Sequence, residues 1–289
     1  MTTKVERARA GRLLPIPLEK VPWWGLILVV LGLLAVYSMF TSEIYRDTFA
    51  FLRDGLKLTI LITVVSFSLA LVLGLIAGLG RVSKNLLFYT ISTLYVEVVR
   101  GIPILVQLIY VAFVLVPMGI HLLNGLGGFI LKCQMSWQPL TRLALSLKSL
   151  DIKNVNMVVR GMLGMTIAYG AFEAEVFRAG IQSIEKGQME AARSLGMTYF
   201  QAMRYIILPQ AIRRILPPLG NDFIAMLKDS SLLSALAVRE LTQLGKLNRA
   251  RTFRTFETWN TVALLYLMMT LLLSLLVKVM ERRMSIERK

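Results

Sequence analysis

EAARSLGMTYFQAMRYIILP, residues 190–209, is a charged, amphipathic stretch between two apolar runs long enough to cross a membrane. Glu190, Ala191 and Ala192 favour helix, and Gly196 stands where a helix would stop or turn. A second helical pattern follows, with Met197, Phe200, Met203, Ile207 and Leu208 spaced for one apolar face. Pro209 has no amide hydrogen to donate and marks the approach to the next apolar run. Spacing therefore predicts a helix–turn–helix. Taken alone it describes an amphipathic loop lying on a membrane surface, and the rest of the chain decides what that loop serves.

The surroundings are those of a membrane protein. Hydrophobic residues make up 56% of the 289, charged residues only 17%, and the mean hydropathy is +0.64. The net charge of +16 invites a nucleic-acid reading. The basic residues are scattered along loops between apolar runs, however, so topology and anionic lipid headgroups account for them and no nucleic-acid partner is expected. Cys133 is the only cysteine and His121 the only histidine, which excludes an intrachain disulfide, a zinc cluster and a Cys/His catalytic pair. No metal is expected. No G-x-x-x-x-G-K-[ST] motif occurs, so the chain carries no nucleotide cofactor of its own and is not expected to be an enzyme.

Reading outward, a basic leader (1–22) precedes an apolar run at 23–40 headed by Trp23 and Trp24, which suit the headgroup region. That run is longer than a signal-peptide core and lacks a small-residue cleavage site, so a retained anchor is expected. A second span covers about 56–79 and closes with Gly74 and Gly78 in a GxxxG arrangement suited to close helix contact. Residues 86–120 are too many for one straight crossing, and Arg100-Gly101-Ile102-Pro103 should break them into a tilted or interfacial helix (86–99) and a third span (102–120). A mixed polar loop is expected at 121–156, then span four (157–177), a cytoplasmic loop (178–214), span five (216–238), span six (259–280) and a charged tail (281–289). The fold class is thus all-α, a polytopic bundle of about six membrane helices with a main body at 50–280. Basic residues lean only weakly toward the leader side, so orientation rests on the loop itself.

Ionisable groups within spans are costly and usually face protein or water. Glu97, Arg100 and Gln107 share one helical face unless the break rotates it. In span five Asn221 pairs by position with Lys228, and Asp222 with Asp229, as two adjacent polar stripes. Glu175 and Arg178 form an i, i+3 pair continued by Gln182, for which internal packing is the favoured role. For Glu97, Arg100, Gln107, Asn221, Lys228 and Asp229, substrate contact and internal packing both stay open.

Glu190, Ala191, Ala192, Gly196, Ile206, Leu208 and Pro209 fit, without departure, the EAA-loop pattern: EAA, three residues, Gly, nine residues, I-x-L-P. The segment resembles the loop by which permease subunits of ATP-binding-cassette importers dock onto their ATPase subunits. YVEVVRGIPILVQ (95–107), AEVFRAGIQSI (174–184) and NDFIAMLKDSSLLSAL (221–236) are similar to the polar-amino-acid branch of that family, and the similarity runs over roughly 56–280. The 23–40 span falls outside the family's five-helix core, and the 121–156 loop is longer than usual. The resemblance implies polar-amino-acid import by alternating access in the bacterial inner membrane. Its implied partners are a second permease subunit, identical or related, ATPase subunits that carry the ATP, and an extracytoplasmic solute-binding protein. It also implies that the seven loop residues couple the chain to the ATPase, and it leaves Arg100 and Lys228 available for a substrate carboxylate, Glu97 or Asp229 for its ammonium. A secondary transporter or a channel is the alternative. Neither needs a complete EAA pattern, and the internal repeats usual in secondary transporters are not evident.

Overall fold

The computed structural model describes residues 41–132 and 138–284, with positions 30, 32, 36 and 37 before them. The leader, nearly all of the 23–40 span, Cys133 and the end of the tail lie outside the described residues. Among those described, every regular element is helical. In chain order they are α1 (Glu43–Val82), α2 (Leu86–Arg100), α3 (Ile104–Lys132), α4 (Gln138–Lys148), α5 (Met157–Gln182), α6 (Lys186–Ser194), α7 (Tyr199–Ala202), α8 (Leu208–Asp229), α9 (Leu241–Thr252) and α10 (Thr255–Met284). The contacts discussed below lie within residues 48–289, which form one compact unit.

Three described helices are long and apolar enough to cross a membrane: Glu43–Val82, Ile104–Lys132 and Thr255–Glu281. The helices at the expected fourth and fifth spans, α5 and α8, do not meet that standard. Their composition explains why: α5 carries Arg160, Glu173, Glu175 and Arg178, and α8 carries Asn221, Asp222, Lys228 and Asp229. A helix shielded by others need not be apolar all round, because its charges face protein. α5 is accordingly the centre of the unit, with a long run of buried small residues including Gly164, Ala168, Gly170, Ala171 and Ala174. Its core partners are Ile62 and Ala70 of α1, Leu108 and Ala112 of α3, and Met226 of α8.

The expected GxxxG contact is where α1 meets α5. A side chain at Gly74 would put its first carbon 2.5 Å from Glu173 Cβ, and one at Gly78 would lie 2.8 Å from the Ala174 carbonyl oxygen. Only glycine permits this approach. At the other end of α1, Leu52 packs with Leu241 and Leu244 of α9 and Val262 and Leu265 of α10. The start of α9 is held by Glu240, fully buried, whose carboxylate accepts from the Thr242 and Gln243 backbone amides (2.8 and 2.7 Å) and from Tyr266 Oη (2.9 Å). Burial pushes the Glu240 carboxyl above its usual range, and these donors pull it back down.

Several sequence boundaries move. The second span starts earlier than residue 56, within a helix of 40 residues, about 60 Å long at 1.5 Å per residue. The 121–156 segment, expected as a polar loop, is largely a helical hairpin: α3 runs on to Lys132 and α4 packs back against it, with Gly127 close under Ala144 and Leu147. The physical reason is that Leu122, Leu123, Leu126, Phe129 and Ile130 keep a helical apolar period through the glycines that had marked a loop. Span five ends as an α-helix at Asp229 and continues as a 3-10 helix over Ser230–Leu236, closed by Ala237 in the left-handed region (φ 57°).

Candidate functional site: a docking hairpin and an intramembrane polar core

Residues 186–208 form the expected helical hairpin. α6 carries Glu190, Ala191 and Ala192 and ends at Ser194, and Gly196 adopts φ +83°, a conformation natural to glycine. No atom approaches within 4 Å of where a Gly196 side chain would begin, so the glycine is required by backbone angle and not by crowding. Thr198 then opens α7 with a capping box, its hydroxyl accepting from the Gln201 amide while the Gln201 side chain accepts from the Thr198 amide. A π turn at Met203–Ile207, which includes Ile206, leads without a break into α8, where Leu208 and Pro209 are the first residues and Pro209, having no amide hydrogen, stands just after the widened turn.

The hairpin is anchored by a few residues and otherwise turns outward. Ile184, Ile207, Ala211 and Ile215 bury its base, and Ala192 is buried too. Leu195 is 84% exposed, Phe200 71%, and Tyr199, Tyr205 and Leu208 are exposed with them. Large apolar side chains grouped on a polar, charged loop mark a surface made to be covered by another protein.

The break in the membrane region is equally concrete. α2 ends at Arg100 and α3 begins at Ile104, with Gly101, Ile102 and Pro103 between them. Gln107 is buried and donates from Nε2 to the carbonyl oxygens of Val99 and Ile102, both at 2.6 Å. It thereby adds a second donor to the Val99 carbonyl, which also accepts from the Ile102 amide at 3.3 Å, and supplies one to the Ile102 carbonyl at the break. Arg100 is exposed and stands 5.8 Å over the Phe172 ring of α5.

Span five sorts its two stripes onto different faces. Asp229 turns toward α5 and accepts from Tyr169 Oη at 2.8 Å, whereas Asn221 and Lys228 are exposed on this chain. Glu97 joins a cluster at one end of α5. Arg81 donates to Glu97 at 2.9 Å and to Glu175 at 2.8 Å, and Arg178 grips the same Glu175 carboxylate and reaches Gln182.

Two members of this region were not among the sequence candidates. Arg81 lies just past the expected second span (56–79), and only the fold brings it to Glu175, 94 positions away. Glu173 is fully buried, with no hydrogen-bond partner for either carboxylate oxygen among the described residues. Its signal was there to be read: a carboxylate set among Gly170, Ala171 and Ala174, a small-residue face that must pack against another helix.

Residues 70–286 match the family described as binding-protein-dependent transport system inner membrane component. The chain is 35% identical over 235 residues to the glutamine transport system permease protein GlnP of Escherichia coli (strain K12), covering 81% of this chain and 93% of that protein. It is 36% identical over 243 residues to the probable glutamine ABC transporter permease protein GlnM of Bacillus subtilis (strain 168), covering 84% and 97%. A crystal structure of an amino acid ABC transporter with histidines shares 34% identity and superposes with a TM-score of 0.66 over 82% of this chain and 96% of that one. The MetNI methionine ABC transporter, 20% identical with a TM-score of 0.60, shares the fold. With its outward-facing apolar hairpin and its polar helices packed among apolar ones, the chain belongs to the binding-protein-dependent inner membrane permeases and is the multi-pass, membrane-spanning subunit of an amino-acid ABC importer.

Proposed function

We propose that this permease works as one of a pair, with a separate ATPase seated on the 186–208 hairpin and a solute-binding protein delivering a polar amino acid at the opposite face. The observation that carries the reading is the exposed cluster Leu195, Tyr199, Phe200 and Tyr205 around a glycine-determined turn. Glu190, Ala191, Ala192, Gly196, Ile206, Leu208 and Pro209 make up the coupling element: Ala192 seats α6 on the base, and the exposed side chains fill the ATPase cleft. ATP binds and is hydrolysed on the partner, and the hairpin carries the resulting motion into α5 and α8, the helices to which it is joined.

The path runs along the face of α8 that bears Asn221 and Lys228, where a second permease subunit, identical or related, closes it. A zwitterionic amino acid crossing hydrocarbon needs a partner for each charge. Arg100 and Lys228 serve the carboxylate; Glu97, paired here with Arg81, or Asp229, paired here with Tyr169, would have to turn to the path to meet the ammonium, and Gln107 shapes the α2–α3 break. Glutamine, named for two relatives, is the first substrate to assay.

The test is reconstitution in proteoliposomes with the co-encoded ATPase and binding protein, measuring uptake of labelled amino acids. Uptake should require all three proteins and ATP. Uptake driven by an ion gradient without the ATPase, or ATP hydrolysis by the purified chain alone, would overturn the reading.

A further inference from the structure

We propose that Arg81 is a positioning residue that ties the docking hairpin to the helix break of the transport path, a role that rests on the coupling reading above. Arg81 sits at the end of α1 with its side chain only 12% exposed, and its two terminal nitrogens hold carboxylates on two different helices. Nη1 donates to Glu175 on α5, and Nη2 to Glu97 on α2.

Each of those helices leads somewhere that matters. α5 ends at Gln182, and Ser183 to Glu185 connect it directly to α6, which carries Glu190. α2 ends three residues after Glu97, at Arg100, where the break begins. A planar guanidinium holding both carboxylates fixes the cytoplasmic end of α5 against α2 in distance and in orientation. Besides the apolar packing of Tyr95, Val96 and Val99 against Ala171 and Ala174, α2 and α5 are joined by Tyr95 Oη donating to the Ile167 carbonyl oxygen at 2.7 Å and by Arg100 over the Phe172 ring. Arg81 is the ionic link, joining α2 and α5 through charged groups near where α5 leads into the hairpin: when the hairpin draws α5, α2 and the Arg100–Pro103 break follow.

The surroundings also show why removing Arg81 leaves the fold standing. Glu175 keeps Arg178 as its partner, and Glu97 is 63% exposed and remains solvated. No buried charge is orphaned, which is the usual reason that breaking an ion pair unfolds a protein.

The experiment uses the full complex with its ATPase and binding protein in proteoliposomes and measures amino acid imported per ATP hydrolysed, together with copurification of the ATPase. Arg81→Gln should copurify as wild type and hydrolyse ATP, while import per ATP falls at least tenfold. Arg81→Lys, whose single ammonium cannot span both carboxylates as the fork does, should fall between the two. Wild-type import per ATP in Arg81→Gln overturns the link. So does loss of the ATPase from purified Arg81→Gln complexes, which would make Arg81 a folding residue. A wild-type complex that neither imports nor hydrolyses ATP would defeat the coupling reading itself, an outcome distinct from either of these.

Discussion

The docking hairpin and the α1–α5 crossing obey opposite rules. In the hairpin, almost every decisive interaction is local: the Thr198–Gln201 capping box, a left-handed Gly196, a proline in the first turn of α8. Leu195, Tyr199, Phe200 and Tyr205 face outward, while its base is buried. At the crossing, every decisive interaction joins residues roughly a hundred positions apart, as when Gly74 lies against Glu173 or Arg81 holds Glu175, and the side chains face inward. One region is an exposed surface, proposed above to seat a partner; the other is a close fit within the chain. Substitutions should therefore fail differently, by lost coupling in the first and by lost packing in the second.

The largest effect is expected at Gly196. A residue with a β-carbon held at positive φ costs about 1–3 kcal/mol, and valine is among the worst placed to pay it because both branches crowd the backbone. The site is otherwise empty, so the strain is relieved by redirecting the turn, which moves Leu195, Tyr199 and Phe200 away from the ATPase cleft. Gly196→Val should abolish uptake while membrane insertion and thermal stability in detergent stay near wild type. Gly196→Asn, whose side chain tolerates the left-handed region, should retain substantial uptake. Equal loss in both would mean that the small size of the residue matters and its backbone angle does not. A Gly196→Val protein that fails to insert would erase the contrast between the two regions.

Gly74→Val is the matching experiment at the crossing. The new side chain would collide with Glu173 Cβ and approach the Ala174 amide nitrogen at 3.0 Å, and backbone on that side cannot move aside. Overpacking of a tight contact costs about 1–3 kcal/mol or more. Here stability, read by thermal unfolding in detergent, should fall first and uptake with it. Normal stability with lost uptake would mean that the crossing is a moving part and not a fixed joint.

How much of this was legible follows from the same contrast. Glu190 to Pro209 could be read directly because each residue type reports its own local conformation, and the hairpin is built of such residues. The GxxxG crossing was half legible: Gly74 and Gly78 announce a close contact, but nothing local names α5 as the partner. The role of Arg81 was not legible, because an ion pair 94 residues apart leaves no periodicity. The 121–156 hairpin was misjudged because Gly125, Gly127 and Gly128 read as loop formers, while helix–helix contact at Gly127 uses the same residue for closeness.

Gln107 lies between the two regimes, and its effect should be the smallest. Helical spacing placed it on the face of Glu97 and Arg100; the fold buries it and turns its amide back on the Val99 and Ile102 carbonyls. Gln107→Leu keeps the bulk and removes both donated hydrogen bonds; Val99 keeps the Ile102 amide as a partner, while the Ile102 carbonyl loses its side-chain donor, at a cost of about 1–3 kcal/mol. If Gln107 serves mainly the break, the variant should lose thermal stability by that amount, and uptake should drop through its maximal rate with the half-saturating amino acid concentration unchanged. If Gln107 touches the substrate instead, the half-saturating concentration should rise while stability holds. The second carboxamide atom sharpens the choice, since Gln107 Oε1 is buried and has no protein partner among the described residues. That oxygen is enclosed in this conformation and meets a substrate ammonium only if transport opens the break, so Gln107→Glu separates the roles: it removes the donor to the carbonyls and keeps an acceptor. Stability lost with affinity retained in Gln107→Glu would show one side chain doing both jobs, one with each end of its amide.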